Sequence, residues 1–366
     1  MGIFNKTITK PLPEGGEKRV RIHRRSLWWM VSLVLVLLAD RLIPAAFWEN
    51  WYYEGLFRWI RIGYDFLLGW SPVPMIYLVL AVVVARVLQW FGEWDKKFLY
   101  QASRAIGGLA AIVVLFYVLW AFNYHQRPLP KRLGFDFKSV SLQDIETEFV
   151  RASDALRHEA ISLRGDLTSD EAILHKRIKE PELRKDVKTA LRSLDLPSGG
   201  NVRVRQVWPK GALLRWSTAG IYIPQAGEGH IDMALLSVQK PFTMAHEMAH
   251  GFGVTDEADC NFIAWLACLK SPDPWTRYSG ALVYWRYTAA EMSRDSVEQM
   301  LRSFPPVVEH SLDLIRQNDH KYPDLMPKLR DQIYSSYLKH HGVEGGLRSY
   351  NRVVLLVQQY MQRKND

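Results

Sequence analysis

Two stretches of twenty residues without a single charge, 66–85 (FLLGWSPVPMIYLVLAVVVA) and 105–124 (AIGGLAAIVVLFYVLWAFNY), constrain this chain more than anything else in it. The hydrocarbon core of a bilayer takes about 20 apolar helical residues to cross, so both read as membrane spans. A third apolar run, Leu27 to Trp48, is interrupted by Asp40 and Arg41 after LWWMVSLVLVLLA. Those two charges can pair or snorkel towards an interface. The run lacks a small-x-small cleavage site and its flanks are rich in Trp, so it reads as an uncleaved anchor and not as a signal peptide. The expected layout is a basic N-terminus over 1–26, a three-helix membrane region over 27–124, a linker over 125–140 and one further domain over 141–366.

Lys and Arg in the short flanking segments set orientation. Lys6, Lys10, Lys18, Arg19, Arg21, Arg24 and Arg25 precede the first run, and Arg86, Lys96, Lys97 and Arg104 surround the second-to-third connection. These are the expected cytoplasmic sides. Between the first two runs, Arg41, Arg58 and Arg61 face the acids Asp40, Glu49, Glu54 and Asp65, and WENWYYEGLFRWI reads as an aromatic interfacial belt. That loop, and everything after the third span, is therefore expected outside. The net charge of +9 is accounted for largely by this topology, so no nucleic-acid partner is inferred from it. With 48% hydrophobic residues and 14 Trp the chain is not intrinsically disordered, and its two cysteines cannot supply a disulfide framework.

Beyond the spans, apolar periodicity predicts a long amphipathic helix from Leu142 to Leu163, capped by Ser141, and another over Glu180 to Leu194. Short strands are expected at Val202–Val207, Leu213–Ser217 and Ile221–Ile223, and from Pro241 onward the pattern is almost wholly helical. The fold class is thus mainly α: three transmembrane helices, then an α+β domain with a small sheet and a helical C-terminal half.

The segment that carries chemistry is Phe242 to Leu269, FTMAHEMAHGFGVTDEADCNFIAWLACL. Its His246-Glu247-Met248-Ala249-His250 is HExxH. On a helix the two histidines lie one turn apart on one face, where both imidazoles can reach a single Zn²⁺, and Glu247 stands beside the ion as a general base. Gly251 and Gly253 supply a helix C-terminus. A catalytic zinc site wants a third protein ligand. Glu257, opening the next helix with Asn261 one turn on to hydrogen-bond a ligating histidine, is favoured. Asp256 is the alternative, completing HExxHxxGxxD in the metzincin manner, and Asp259 is a further candidate. Cys260 could be a soft ligand but fits better as a small buried residue. Some 12 Å of helix would separate it from Cys268, so both are expected as core thiols. Tyr350, Tyr337, Arg348 and His310 are candidates to stabilise an oxyanion, and the adjacent His340 and His341 read as an exposed helix end. Gly220, Ile221, Tyr222 and Ile223, closed by Pro224, form a candidate edge strand able to take an extended peptide.

Taken together, LWAFNY at the end of the third span, GIYIPQAGEGHID, HEMAH, EADCNFIAWLAC, YSGAL and SYLKHHGVEGGLRSY resemble the bacterial membrane family known as domain of unknown function 3810. More distantly, HEMAH followed by EADCN resembles the glutamate-type zinc peptidases. Asp259 and Cys260 depart from that pattern, standing where Glu and Ala would precede the Asn. The resemblance implies a zincin-like domain, His246, His250 and Glu257 as metal ligands, Glu247 as catalyst, Zn²⁺ as cofactor and a peptide or protein as substrate. It also implies a multi-pass protein of the bacterial cytoplasmic membrane. A non-catalytic zincin-fold receptor that binds a peptide or cell-wall fragment, or hydrolysis of a non-peptide amide, are the alternatives.

Overall fold

The computed structural model describes residues 7–10, 18–21, 23–92, 98–135, 142–163, 168–327 and 349–365. The chain divides into two units, each with its own internal packing.

The first unit comprises Met1–Ile60, Leu68–Gln126 and Pro224–Ala226. Strand β1 (Thr7–Lys10) pairs antiparallel with β2 (Lys18–Arg21), and helix α1 (Arg24–Leu42) follows. Ile43 and Pro44 break the helix, and the chain turns by 105° before continuing through a π-helical stretch, Trp48–Leu56, into α2 (Phe57–Leu68). Two later helices, α3 (Met75–Gly92) and α4 (Phe98–Leu119), are long and apolar enough to cross a membrane, and a third crossing exists only if the bent pair counts as one. Their large aliphatic side chains are exposed, Leu109 at 65% for example.

The expected span boundaries shift. Within 66–85, Pro72 and Pro74 offer no amide hydrogen and Ser71 Oγ turns back onto the Val73 carbonyl at 2.9 Å, so the helix starts only at Met75 and runs on past Arg86. The next helix begins at Phe98, already includes Arg104, and ends at Leu119, because Ala121–His125 tighten into a 3₁₀ turn. Lys96 and Lys97 lie outside the described residues. Asp40 pairs with His125, whose Nε2 lies 2.7 Å from its Oδ1. Small residues let α1 and α4 approach closely, since a Cβ on Gly107 would sit 2.3 Å from that of Ser26.

The second unit comprises Arg61–Leu67, Arg127–Ile223 and Gly227–Asp366. Helix α5 (Leu129–Leu133) has Leu129 and Pro130 buried, so this part of the stretch expected as a linker belongs to the second unit. Residues 136–140 and Ser141 lie outside the described residues. Helices α6 (Leu142–Ser162), α7 (Asp170–His175) and α8 (Glu180–Arg192) lead to the sheet of β3 (Val204–Val207), β4 (Gly220–Ile223) and β5 (Glu228–Asp232). The order is β3-β5-β4, with β5 parallel to β3 and antiparallel to β4.

Leu213–Ser217 is not a strand. The Asp232 carboxylate accepts the amides of Gly211, Leu213 and Leu214, which curls that segment into a 3₁₀ turn ended by Ser217 at φ 56°. The central strand β5 has no counterpart in the sequence reading. Glu228, His230 and Asp232 make it look like a polar loop, yet all five of its residues are buried. Helices α9 (Lys240–Gly251), α10 (Glu257–Leu269), α11 (Pro274–Ala289), α12 (Arg294–Leu301), α13 (Pro306–Lys321) and α14 (Ser349–Asn365) complete the unit. Its core gathers Leu156, Ile231, Phe262 and Trp275 around α10, whose residues Ala258 through Cys268 are all buried.

Candidate metal centre

Pro241 sits in the first turn of α9, where its missing amide is harmless, and the helix then carries His246 and His250 on one face with rings edge-to-face at 4.8 Å. Each imidazole is oriented from behind. His246 Nδ1 lies 2.8 Å from Asn261 Oδ1, and His250 Nδ1 lies 2.9 Å from the Val254 carbonyl. With Nδ1–H donating in both, the two Nε2 lone pairs face one another at 3.1 Å. Glu257 closes the triangle, Oε2 at 3.2 Å from His246 Nε2 and Oε1 at 3.5 Å from His250 Nε2. Ligands about 2.0–2.1 Å from a tetrahedral ion are separated by about 3.3 Å, which these three edges match. Among the described residues, this is the one His/Cys/Asp/Glu group able to hold a metal. Two neutral imidazole lone pairs repel at such a distance, which a cation between them relieves. Burial lowers His250, but its contacts with Cys260 and Glu257 outweigh this and push it well above its ordinary value. The same imidazoles outweigh the burial of the Glu257 carboxylate and hold it far below the usual carboxylate range.

A tight corner brings Glu257 to the histidines. Gly253, at φ 96°, turns the chain out of α9 while Val254 N–H closes on the Ala249 carbonyl at 3.1 Å. Asp256 then caps α10, its Oδ1 accepting the amides of Ala258 and Asp259 while its Oδ2 takes Arg352 Nη1 at 2.7 Å. Asp256 is thereby spent on the corner and lies outside the metal cluster. Asp259 also points elsewhere. Its Oδ2 accepts the Leu129 amide at 3.2 Å, and burial together with Asp256 pushes its carboxyl up. Cys260 Sγ sits 3.3 Å from His250 Nδ1, on the side of the ring away from the cluster, and burial raises its thiol to about 12, so it is a neutral core thiol. Cys268 is buried and free as well.

Glu247 is 4% exposed, and its Oε2 has no hydrogen-bond partner among the described residues. Two glycines make room for it. A Cβ on Gly229 of β5 would lie 2.7 Å from Glu247 Cβ, and one on Gly220 of β4 would lie 2.6 Å from Glu247 Oε1. Burial raises this carboxyl to about 7, with His246 and His250 pulling it down and Glu257 pushing it up. An unpaired carboxyl poised near neutrality beside three convergent donors fits a general base next to a metal.

A family model described as a protein of unknown function (DUF3810) matches residues 52–358. The chain belongs to this family. A search of curated proteins and one of solved structures find no match. The matched stretch of this DUF3810 protein contains Arg61, the whole sheet and both helices of the donor triangle, and leaves out the basic N-terminus.

The remaining expected residues of the DUF3810 protein fall elsewhere. His310 Nε2 is engaged by Asp170 Oδ1 at 2.6 Å and does not join the donor triangle. Tyr337, Arg348, His340 and His341 lie outside the described residues, as does the side chain of Tyr350. Gly220–Ile223 forms an edge of the three-stranded sheet, with β5 as its neighbour. Residues not singled out from sequence include Gly229, the Val254 carbonyl, and Tyr287, whose hydroxyl lies 3.4 Å from Asn261 Oδ1. A glycine beside a histidine in EGHID was the available signal for Gly229. A backbone carbonyl has none.

Proposed function

We propose that this protein is a membrane-anchored, zinc-dependent metallopeptidase of the bacterial cytoplasmic membrane, with a zincin-like catalytic unit on the extracytoplasmic side. The observation that carries this is the meeting of His246 Nε2, His250 Nε2 and the Glu257 carboxylate within 3.5 Å of one another, beside the buried Glu247 carboxyl, whose Oε2 has no hydrogen-bond partner among the described residues. Zinc, when bound, supplies a Lewis acid that acidifies water and polarises a carbonyl. The protein's own part is to fix both imidazoles through Asn261 and Val254, and to keep Glu247 unsolvated and ready to take a proton from attacking water and hand it to the leaving nitrogen. The β4 edge is suited to hold an extended peptide next to Glu247, because Gly220 lies against that carboxylate. A receptor that only binds peptide has no use for a buried, unpaired glutamate, which favours the enzyme. The orientation rests on the basic N-terminus and on the Lys and Arg residues around the second-to-third connection.

The direct test is elemental analysis of the detergent-purified chain beside His246→Ala and Glu247→Gln, with turnover measured on a peptide library. The expected result is about one zinc per chain in wild type and Glu247→Gln, loss in His246→Ala, and hydrolysis by wild type alone. Zinc-free wild type after reconstitution, or a fully active Glu247→Gln, refutes the proposal.

A further inference from the structure

Arg61 comes from α2, in the segment that leads towards α3, yet it is 2% exposed and inside the second unit. Its Nη1 donates to the Gly227 carbonyl at 2.6 Å and to the Tyr222 hydroxyl at 3.2 Å, partners 166 and 161 residues downstream. The neighbouring side chains of the same helix turn join the clasp. Asp65 Oδ2 accepts the Asn201 amide at 2.6 Å, and Tyr64 packs so close to Gly227 that a Cβ there would lie 2.4 Å from its ring. Tyr222 in turn touches the metal helix: a Cβ on Gly251, the residue after His250, would meet Val202 at 2.2 Å and the Tyr222 ring at 3.1 Å.

Burying a guanidinium is costly, and here Asp65 Oδ1 at 3.6 Å from Nη2 meets its charge only in part while Nε has no hydrogen-bond partner among the described residues. An aliphatic side chain would fill this space more cheaply. What the guanidinium adds is a planar donor group whose Nη1 engages a phenol and a carbonyl together, while Nη2 faces Asp65. We propose that Arg61 is a positioning residue for the metal helix: by holding the Tyr222 ring on Gly251 it fixes where the C-terminal turn of α9 presents His250. This rests on the zinc reading above, and it makes a residue from the membrane-leading segment part of the metal site's support.

The experiment uses the full-length chain in detergent and measures the zinc dissociation constant by competition with a chromophoric chelator, for wild type, Arg61→Met, Tyr222→Phe and the double variant. Loss of an outer support weakens a metal site by about 10-fold or more. Each single variant is expected to show that loss, with faster amide exchange over Gly251–Val254 in the zinc-free chain. The double variant should be no worse than Arg61→Met alone, since both changes cut one link. Zinc affinities within about twofold of wild type for Tyr222→Phe and Arg61→Met overturn the positioning role. Should Arg61→Met not fold, Tyr222→Phe decides alone, because it removes a single hydroxyl. A wild type that binds no zinc overturns the metal reading and this proposal with it, whereas a zinc-binding wild type with unaffected variants overturns the positioning role only.

Discussion

Glu247 should cost the metal-free protein stability in a way that only pH reveals. Its carboxyl is moved by burial from 4.5 to about 7. At about 1.4 kcal/mol per pH unit, the folded state disfavours its anion by about 3 kcal/mol. The sign follows from linkage. Below pH 4.5 the group is protonated folded and unfolded, and there is no penalty. Between 4.5 and 7 the unfolded chain releases the proton first, so stability falls as pH rises, and above 7 the penalty is complete. Glu247→Gln is neutral at every pH and fits between the same two glycines. In chelator-treated protein the variant should therefore gain under about 1 kcal/mol at pH 5 and about 3 kcal/mol at pH 8. For a unit of this size that is a rise in thermal midpoint of roughly 6–12 °C at pH 8, read by tryptophan fluorescence in detergent. With zinc loaded the gain should shrink, because a divalent cation favours the glutamate anion. An equal gain at both pH values, or a variant less stable than wild type at pH 8, would refute the claim that Glu247 is a buried carboxyl held for chemistry.

Glu257→Ala should abolish stoichiometric zinc by elemental analysis. Asp256→Ala should instead keep the metal and lose about 1–2 kcal/mol of stability with the helix cap and the Arg352 contact. The two cradle glycines should respond differently. In Gly229→Ala the new methyl meets Glu247 Cβ, next to the α9 backbone, and costs about 1–3 kcal/mol by thermal unfolding. In Gly220→Ala it meets the mobile carboxylate end, so stability is largely kept while peptide hydrolysis falls. Protease added to intact spheroplasts should cleave the second unit, and full protection would reverse the topology.

What the sequence by itself determined is what short-range physics decides. A helix of period 3.6 puts His246 and His250 on one face whatever surrounds it, Gly251 and Gly253 end that helix, and Asp256 starts the next. Runs without charge declare themselves as apolar, although Pro72 and Pro74 moved the helix start by local backbone chemistry that a hydropathy count does not see. Everything that depends on distant partners was decided only by the tertiary structure. Glu257 and Asp256 are adjacent and chemically alike; the place in the donor triangle falls to Glu257, while Arg352, 96 residues away, and two helix amides occupy Asp256. Strand β5 reads as polar because the partners of its carboxylates, Arg203 for Glu228 and the 211–214 amides for Asp232, come from other segments. Arg61 reads as a loop charge, since its burial exists only once Tyr222 and Gly227 close over it. Glu247 is legible in HExxH, but its burial, with Oε2 unpartnered among the described residues, and the upward shift of its carboxyl arise where two glycines on strands meet α9 only in the folded chain.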